Sequence, residues 1–114
     1  MKWNFDGKVA VVTGASRGIG EATVRQLDEG GANVVLVSRS KDKLKDIAAE
    51  LKNDSLVVDC DLSDDLSIDL ISVMTIEKFG KIDILVPNAG GGTAEGEEPS
   101  PLVDMNEKQN HLLG

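Results

Sequence analysis

Four short apolar runs punctuate this chain: Val9-Ala10-Val11-Val12, Val34-Val35-Leu36-Val37, Leu56-Val57-Val58 and Ile82 to Val86. Between them, apolar residues recur three or four positions apart. Continuous runs predict strands buried on both faces, and the intervening period predicts amphipathic helices. The first helix is expected over Gly18 to Glu29, with Ile19, Ala22, Thr23 and Leu27 facing inward and Gly30-Gly31 stopping it. The second starts at a Ser40 cap, places Leu44, Ile47, Ala48 and Leu51 on one side, and stops near Asn53. The third is capped by Ser63, carries Asp64 and Asp65 in its first turn, turns Leu66, Leu70, Val73 and Met74 inward, and ends at Gly80. Strand and helix alternate three times before a last strand. That order predicts an α/β fold, a three-layer, doubly wound parallel sheet of the Rossmann type, cut short after its fourth strand.

The pattern fades after Pro87-Asn88-Ala89-Gly90. Residues 91–101 hold glycines, prolines and acids with no periodicity and are expected to form a loop or disordered tail. A short helix is an option around Leu102, Val103 and Met105. The expected division is therefore a half-domain over 1–90 and a tail over 91–114.

Composition narrows the partners. The chain has 114 residues, 40% hydrophobic and 28% charged, which suits one globular domain. Its net charge of −8 argues against nucleic acid, whose phosphates need a basic face. The N-terminus has no apolar signal region, and no run approaches the ~18 apolar residues of a membrane span. The single Cys60 cannot form an internal disulfide. It is expected to be a buried, reduced thiol, which points to the cytoplasm.

The segment Thr13-Gly14-Ala15-Ser16-Arg17-Gly18-Ile19-Gly20 lies between the first strand and the first helix. Glycines there allow a tight turn and close approach of a ligand. The free N–H groups and dipole of the helix start attract phosphate. In this context the turn reads as a dinucleotide site. Its Gly-x-x-x-Gly-x-Gly spacing resembles the cofactor motif of the short-chain dehydrogenase/reductase family. Gly7-Lys8-Val9-Ala10-Val11-Val12, Cys60-Asp61-Leu62 and Asp83-Ile84-Leu85-Val86 followed by Asn88-Ala89-Gly90 resemble further family elements in the family order. The likeness covers residues 5–90. It implies that Gly14, Gly18 and Gly20 shape the pyrophosphate turn, with Ile19 offering backbone to it. It implies that Asp61 accepts from the adenine amino group and Leu62 flanks the ring. By the same likeness Asn88, Ala89 and Gly90 line the adenosine ribose and support the sheet.

An NAD site usually has a carboxylate at the end of the second strand, where it takes the ribose hydroxyls. Here that place reads Ser38-Arg39. Arg39, with Arg17 from the glycine turn, supplies donors suited to a 2′-phosphate, and Ser16 and Ser38 can add hydroxyls. NADP(H) is therefore expected over NAD(H). The family resemblance implies hydride transfer between nicotinamide and a carbonyl or alcohol, with a Tyr-x-x-x-Lys helix supplying the proton. This chain contains no tyrosine. None of its residues is assigned to catalysis or to a metal. His111 is the sole histidine, and Asn110 to Gly114 resembles a degenerate Asn-hydrophobe-x-Gly element of the family. Two readings follow: the NADP(H)-binding portion of a short-chain oxidoreductase, or a truncated, non-catalytic nucleotide-binding or interaction protein. With the fourth strand as a bare edge, association with like or unlike chains is expected.

Overall fold

The computed structural model of the chain describes residues 4–88. The order is β1 (Val9–Thr13), α1 (Gly18–Glu29), β2 (Asn33–Ser38), α2 (Lys41–Ala49), β3 (Ser55–Asp59), α3 (Asp65–Phe79) and β4 (Ile84–Val86). The strands form one parallel sheet in the order β3-β2-β1-β4. Helices cover both faces. One core joins Ala10, Val12, Val34 and Leu36 of the sheet to Val24, Leu27, Leu44 and Ile47 of α1 and α2. The other joins Val9, Val11, Val35, Val37 and Val58 to Ile71 of α3. Alternate residues of β1 and β2 thus feed opposite cores, which is why their sequences are apolar throughout.

Two helices present faces other than those their hydrophobic spacing predicts. In α1 the buried residues are Gly20, Val24, Leu27 and Asp28, whereas Ile19 is 77% exposed and Ala22 is exposed. The helix is rotated because Gly20 packs directly on the Gly14 carbonyl, and a contact made by a missing side chain leaves no hydrophobic signal. In α3 the buried residues are Ser67, Ile71 and Thr75, with Met74 half-buried. Leu66, Leu70, Val73 and Ile76 are 71%, 45%, 55% and 48% exposed. Apolar residues surround nearly the whole of this helix, so periodicity does not choose a side. Ser67 does, since its hydroxyl donates to the Asp61 carbonyl at 2.7 Å.

Caps and ends also shift. Asp64, not Ser63, caps α3, its carboxylate accepting from the Leu66 N–H at 3.0 Å. Ser40 occupies the N-cap of α2 but makes no side-chain cap bond. That helix stops at Ala49, short of Asn53, because Asn53 is engaged elsewhere. The buried Asp28 carboxylate accepts from the backbone N–H groups of Lys52 and Asn53, both at 2.8 Å, and from Asn53 Nδ2 at 3.1 Å. This clamp ties the end of α1 to the connection before β3. The ladder of β4 begins at Ile84 rather than Ile82, because the Asp83 carboxylate takes the Val9 N–H at 2.9 Å. Cys60 is half-buried rather than buried.

Candidate functional site

Parallel strands bring their carboxyl ends to one side, and a chain of hydrogen bonds joins the four segments that leave them. Asn88 Nδ2, after β4, donates to the Gly14 carbonyl at 3.2 Å. The Ala15 N–H, after β1, donates to the Val37 carbonyl at 3.1 Å. The Cys60 N–H, after β3, donates to the Ser38 carbonyl at 3.0 Å. Glycine turn, Ser38-Arg39, Cys60-Asp61-Leu62 and Asn88 are therefore neighbours along one rim.

Proline decides how this rim is closed. Pro87 follows β4 and has no N–H to continue the ladder. Thr13, the last residue of β1 and buried, replaces it: its hydroxyl accepts from the Asn88 N–H at 2.8 Å and donates to the Asn88 carbonyl at 3.2 Å. Asn88, so held, reaches Gly14. The sequence reading missed Thr13; the hydroxyl at a strand end opposite a proline was the available signal.

The turn itself has two kinds of glycine. Gly14 and Gly18 both lie at φ +61°, in the left-handed region that favours glycine. Around Gly18 a Cβ would meet nothing within 4 Å among the described residues, which leave the space over the turn open. At Gly20 a Cβ would strike the Gly14 carbonyl and stand 2.6 Å from Asn88 Nδ2. Gly18 thus shapes an accessible cradle, and Gly20 lets the helix start press against it.

The N–H groups of Gly18, Ile19 and Gly20 have no acceptor among the described residues, and Arg17, the N-cap of α1, makes no side-chain cap bond. These are the donors a phosphate would satisfy. The open cradle and its unused donors fit a dinucleotide pyrophosphate. Ser16 is buried beside them, and Arg17 is exposed.

Arg39 is exposed and makes no ion pair among the described residues. Ser38, half-buried, accepts from the Ser40 N–H through its hydroxyl at 3.0 Å, which keeps its own proton available. Asp61 is exposed, and its Oδ1 accepts from the Ser63 N–H at 2.9 Å. The bonds from the Ser63 N–H and hydroxyl, with the field of Arg39, hold this carboxyl below the usual aspartate range. Leu62 packs partly into the α3-side core. Desolvation raises the pKa of the Cys60 thiol, and the charges of Asp59 and Asp61 add to the rise. An open cleft of 480 Å³ lies at the start of α3, lined by Cys60, Asp61, Asp64, Leu66, Ser67 and Leu70. None of the glycine-turn residues borders it.

Ala89, Gly90, Asn110, His111 and the expected tail over 91–114 lie outside the described residues. Among the described residues no three His, Cys, Asp or Glu side chains converge as metal ligands. No helix among them is long and apolar enough to cross a membrane.

Comparison with known proteins gives this geometry a family. Residues 8–111 match the family model described as short chain dehydrogenase. An uncharacterized oxidoreductase of Staphylococcus epidermidis is 42% identical over 102 residues, spanning 90% of this chain and 42% of the relative. One of Staphylococcus aureus is 46% identical over 108 residues, spanning 89% of this chain and 47% of the relative. The chain thus covers under half the length of these relatives. Among solved structures, a 3-ketoacyl-(acyl-carrier-protein) reductase from Brucella melitensis complexed with NADH is 39% identical. The match covers 72% of this chain and 34% of that one, with a TM-score of 0.68. A metagenomic short-chain oxidoreductase in complex with NADP is also 39% identical, covering 71% and 38%, with a TM-score of 0.67. Strand order, glycine turn and sequence match agree: this chain belongs to the short-chain dehydrogenase family of oxidoreductases, of which it spans the N-terminal part.

Proposed function

We propose that this chain is the NADP(H)-binding portion of a short-chain oxidoreductase that transfers hydride between nicotinamide and a carbonyl or alcohol substrate. The observation that carries this reading is the row of unused N–H groups at Gly18, Ile19 and Gly20, set in an open turn at the rim where Arg17 and Arg39 emerge. The turn would hold the pyrophosphate through backbone, as helix N-termini hold anions generally. Ser16, Arg17, Ser38 and Arg39 would take the 2′-phosphate. Asp61 would accept from the adenine amino group, Leu62 would flank the ring, and Asn88, Ala89 and Gly90 would line the ribose. When bound, the nicotinamide supplies the hydride-exchanging carbon. None of this chain's own residues is assigned to the proton transfer.

The preference for NADP(H) rests on Arg39 standing where NAD sites carry an acid. A hydrogen bond to a charged group contributes ~1.5–3 kcal/mol. One such contact therefore separates the two cofactors by roughly ten- to hundredfold. Titration of NADPH and NADH into the wild type and Arg39→Asp tests it. The expected result is a larger loss for NADPH than for NADH; equal losses would defeat the preference.

A second reading is favoured by apolar exposure. Leu85 on the edge strand is 40% exposed, and the outer side of α3 displays Leu66 and Val73. Such a surface suits a nucleotide-binding or interaction protein that associates along the described edge strand and the outer side of α3.

A further inference from the structure

We propose that Ser67 is a positioning residue that sets the base selectivity of the nucleotide site by holding Asp61 from the body of α3. The inference deepens the nucleotide-binding reading above and rests on it.

Asp61 lies in the turn between β3 and α3, and the bonds around it are of two kinds. Those within the turn travel with it: the Asp64 N–H donates to the Asp61 carbonyl at 3.1 Å, and the Ser63 N–H donates to the Asp61 carboxylate at 2.9 Å. They fix the shape of the turn but not its place. The near end is tied to the sheet, because the Cys60 N–H donates to the Ser38 carbonyl at 3.0 Å. The far end is tied by Ser67, whose hydroxyl donates to the Asp61 carbonyl at 2.7 Å. Ser67 is 7% exposed and shares the buried face of α3 with Ile71 and Thr75, so this donor belongs to the part of the helix that packs on the sheet. A serine inside a helix commonly turns its hydroxyl back to the carbonyl four residues earlier. Here the hydroxyl reaches past the N-cap Asp64 and into the turn. Leu62 is held separately, by its packing in the α3-side core. Without the Ser67 hydroxyl the turn keeps its shape and its apolar anchor, but it can tilt about Cys60. Hydrogen bonds weaken steeply with misalignment. The loss therefore falls on the contact proposed between Asp61 and the adenine amino group, and spares the phosphates.

The test titrates the full chain with NADPH and with its hypoxanthine analogue, in which a ring carbonyl replaces the adenine amino group. Phosphates and nicotinamide are common to both, so the affinity ratio reads the amino contact alone. Asp61→Ala should lower the ratio about tenfold, the lower end for a hydrogen bond to a charged group. Ser67→Ala should lower it about threefold, a partial loss of the same bond, and should lower it no further in an Asp61→Ala background. Ser67→Thr keeps the hydroxyl and should hold the wild-type ratio, and Ser72→Ala on the exposed side of α3 should leave it unchanged. Alanine suits a helix better than serine, and the Asp61 carbonyl retains the Asp64 N–H, so Ser67→Ala should fold. Ser67→Cys, close in size but a weak donor, repeats the test if the alanine variant melts early. A wild-type ratio in the alanine and cysteine variants, or an equal fall in Ser67→Thr or in the Asp61→Ala background, overturns the inference while leaving nucleotide binding intact. If Asp61→Ala leaves the ratio unchanged, or neither ligand binds, the nucleotide reading itself falls and takes this inference with it.

Discussion

Gly18 and Gly20 sit two positions apart and answer to different forces. At Gly18 the backbone lies at φ +61° with open space around it, so Gly18→Ala carries only the left-handed penalty, about 1–2 kcal/mol. At Gly20 a methyl group meets a backbone carbonyl that cannot rotate away. Gly20→Ala should therefore cost more, about 3 kcal/mol, as severe overpacking does. Urea unfolding of the two variants gives the comparison, and a Gly18 variant as unstable as the Gly20 variant would contradict it. Asp83 offers a second check. The Val9 N–H, and then Lys81, hold its carboxyl below the ordinary aspartate value. A depressed folded pKa stabilises the fold fully above the unfolded value, about 3.9, and that stability is lost as pH falls through the folded pKa. Asp61 contributes with the same sign. Asp83→Asn should thus flatten the acid limb of a stability profile recorded below about pH 4, since its amide carbonyl still accepts from Val9 but no longer titrates. An acid limb of unchanged slope would remove Asp83 from the account.

The helices show how local polar groups override hydrophobic spacing. The exposure of Ile19 and Leu66 is a consequence of contacts made by Gly20 and Ser67, neither of which is apolar enough to register in a periodic pattern. The Asp28 clamp belongs here too. It joins α1 to the strand connector with a buried carboxylate accepting from two backbone N–H groups and one amide. Asp28→Ala leaves those donors without their acceptor, which should destabilise the domain by about 3 kcal/mol. Thermal unfolding should show a clearly lowered midpoint, and a change of a degree or less would mean that water replaces the clamp. An aspartate in the last turn of a helix looks like an ordinary surface acid in sequence, because its partners lie 24 and 25 positions away.

Among the described residues the domain has a well-filled centre and an apolar flank. β1 and β2 are covered on both faces, while β4 stands at the edge and α3 turns Leu66, Leu70, Val73 and Ile76 outward. That surface should drive self-association. Sedimentation should give a native mass above the 12.1 kDa of one chain, and Leu66→Lys combined with Val73→Lys should lower it. A monomer at micromolar concentration would rule out association through this face.

The parallel sheet, the glycine turn and the family were all legible in the chain. Each depends on contiguous residues: apolar runs buried on both faces, and glycines at fixed spacing after the first of them. Helix rotation, the Asp28 clamp and the Thr13 bridge around Pro87 were not. These arise where segments distant in sequence meet through polar atoms or through an absent side chain. Hydrophobic spacing says that a segment must be buried, but the close backbone contacts and donor-acceptor pairs that say which way it faces exist only after the strands have assembled.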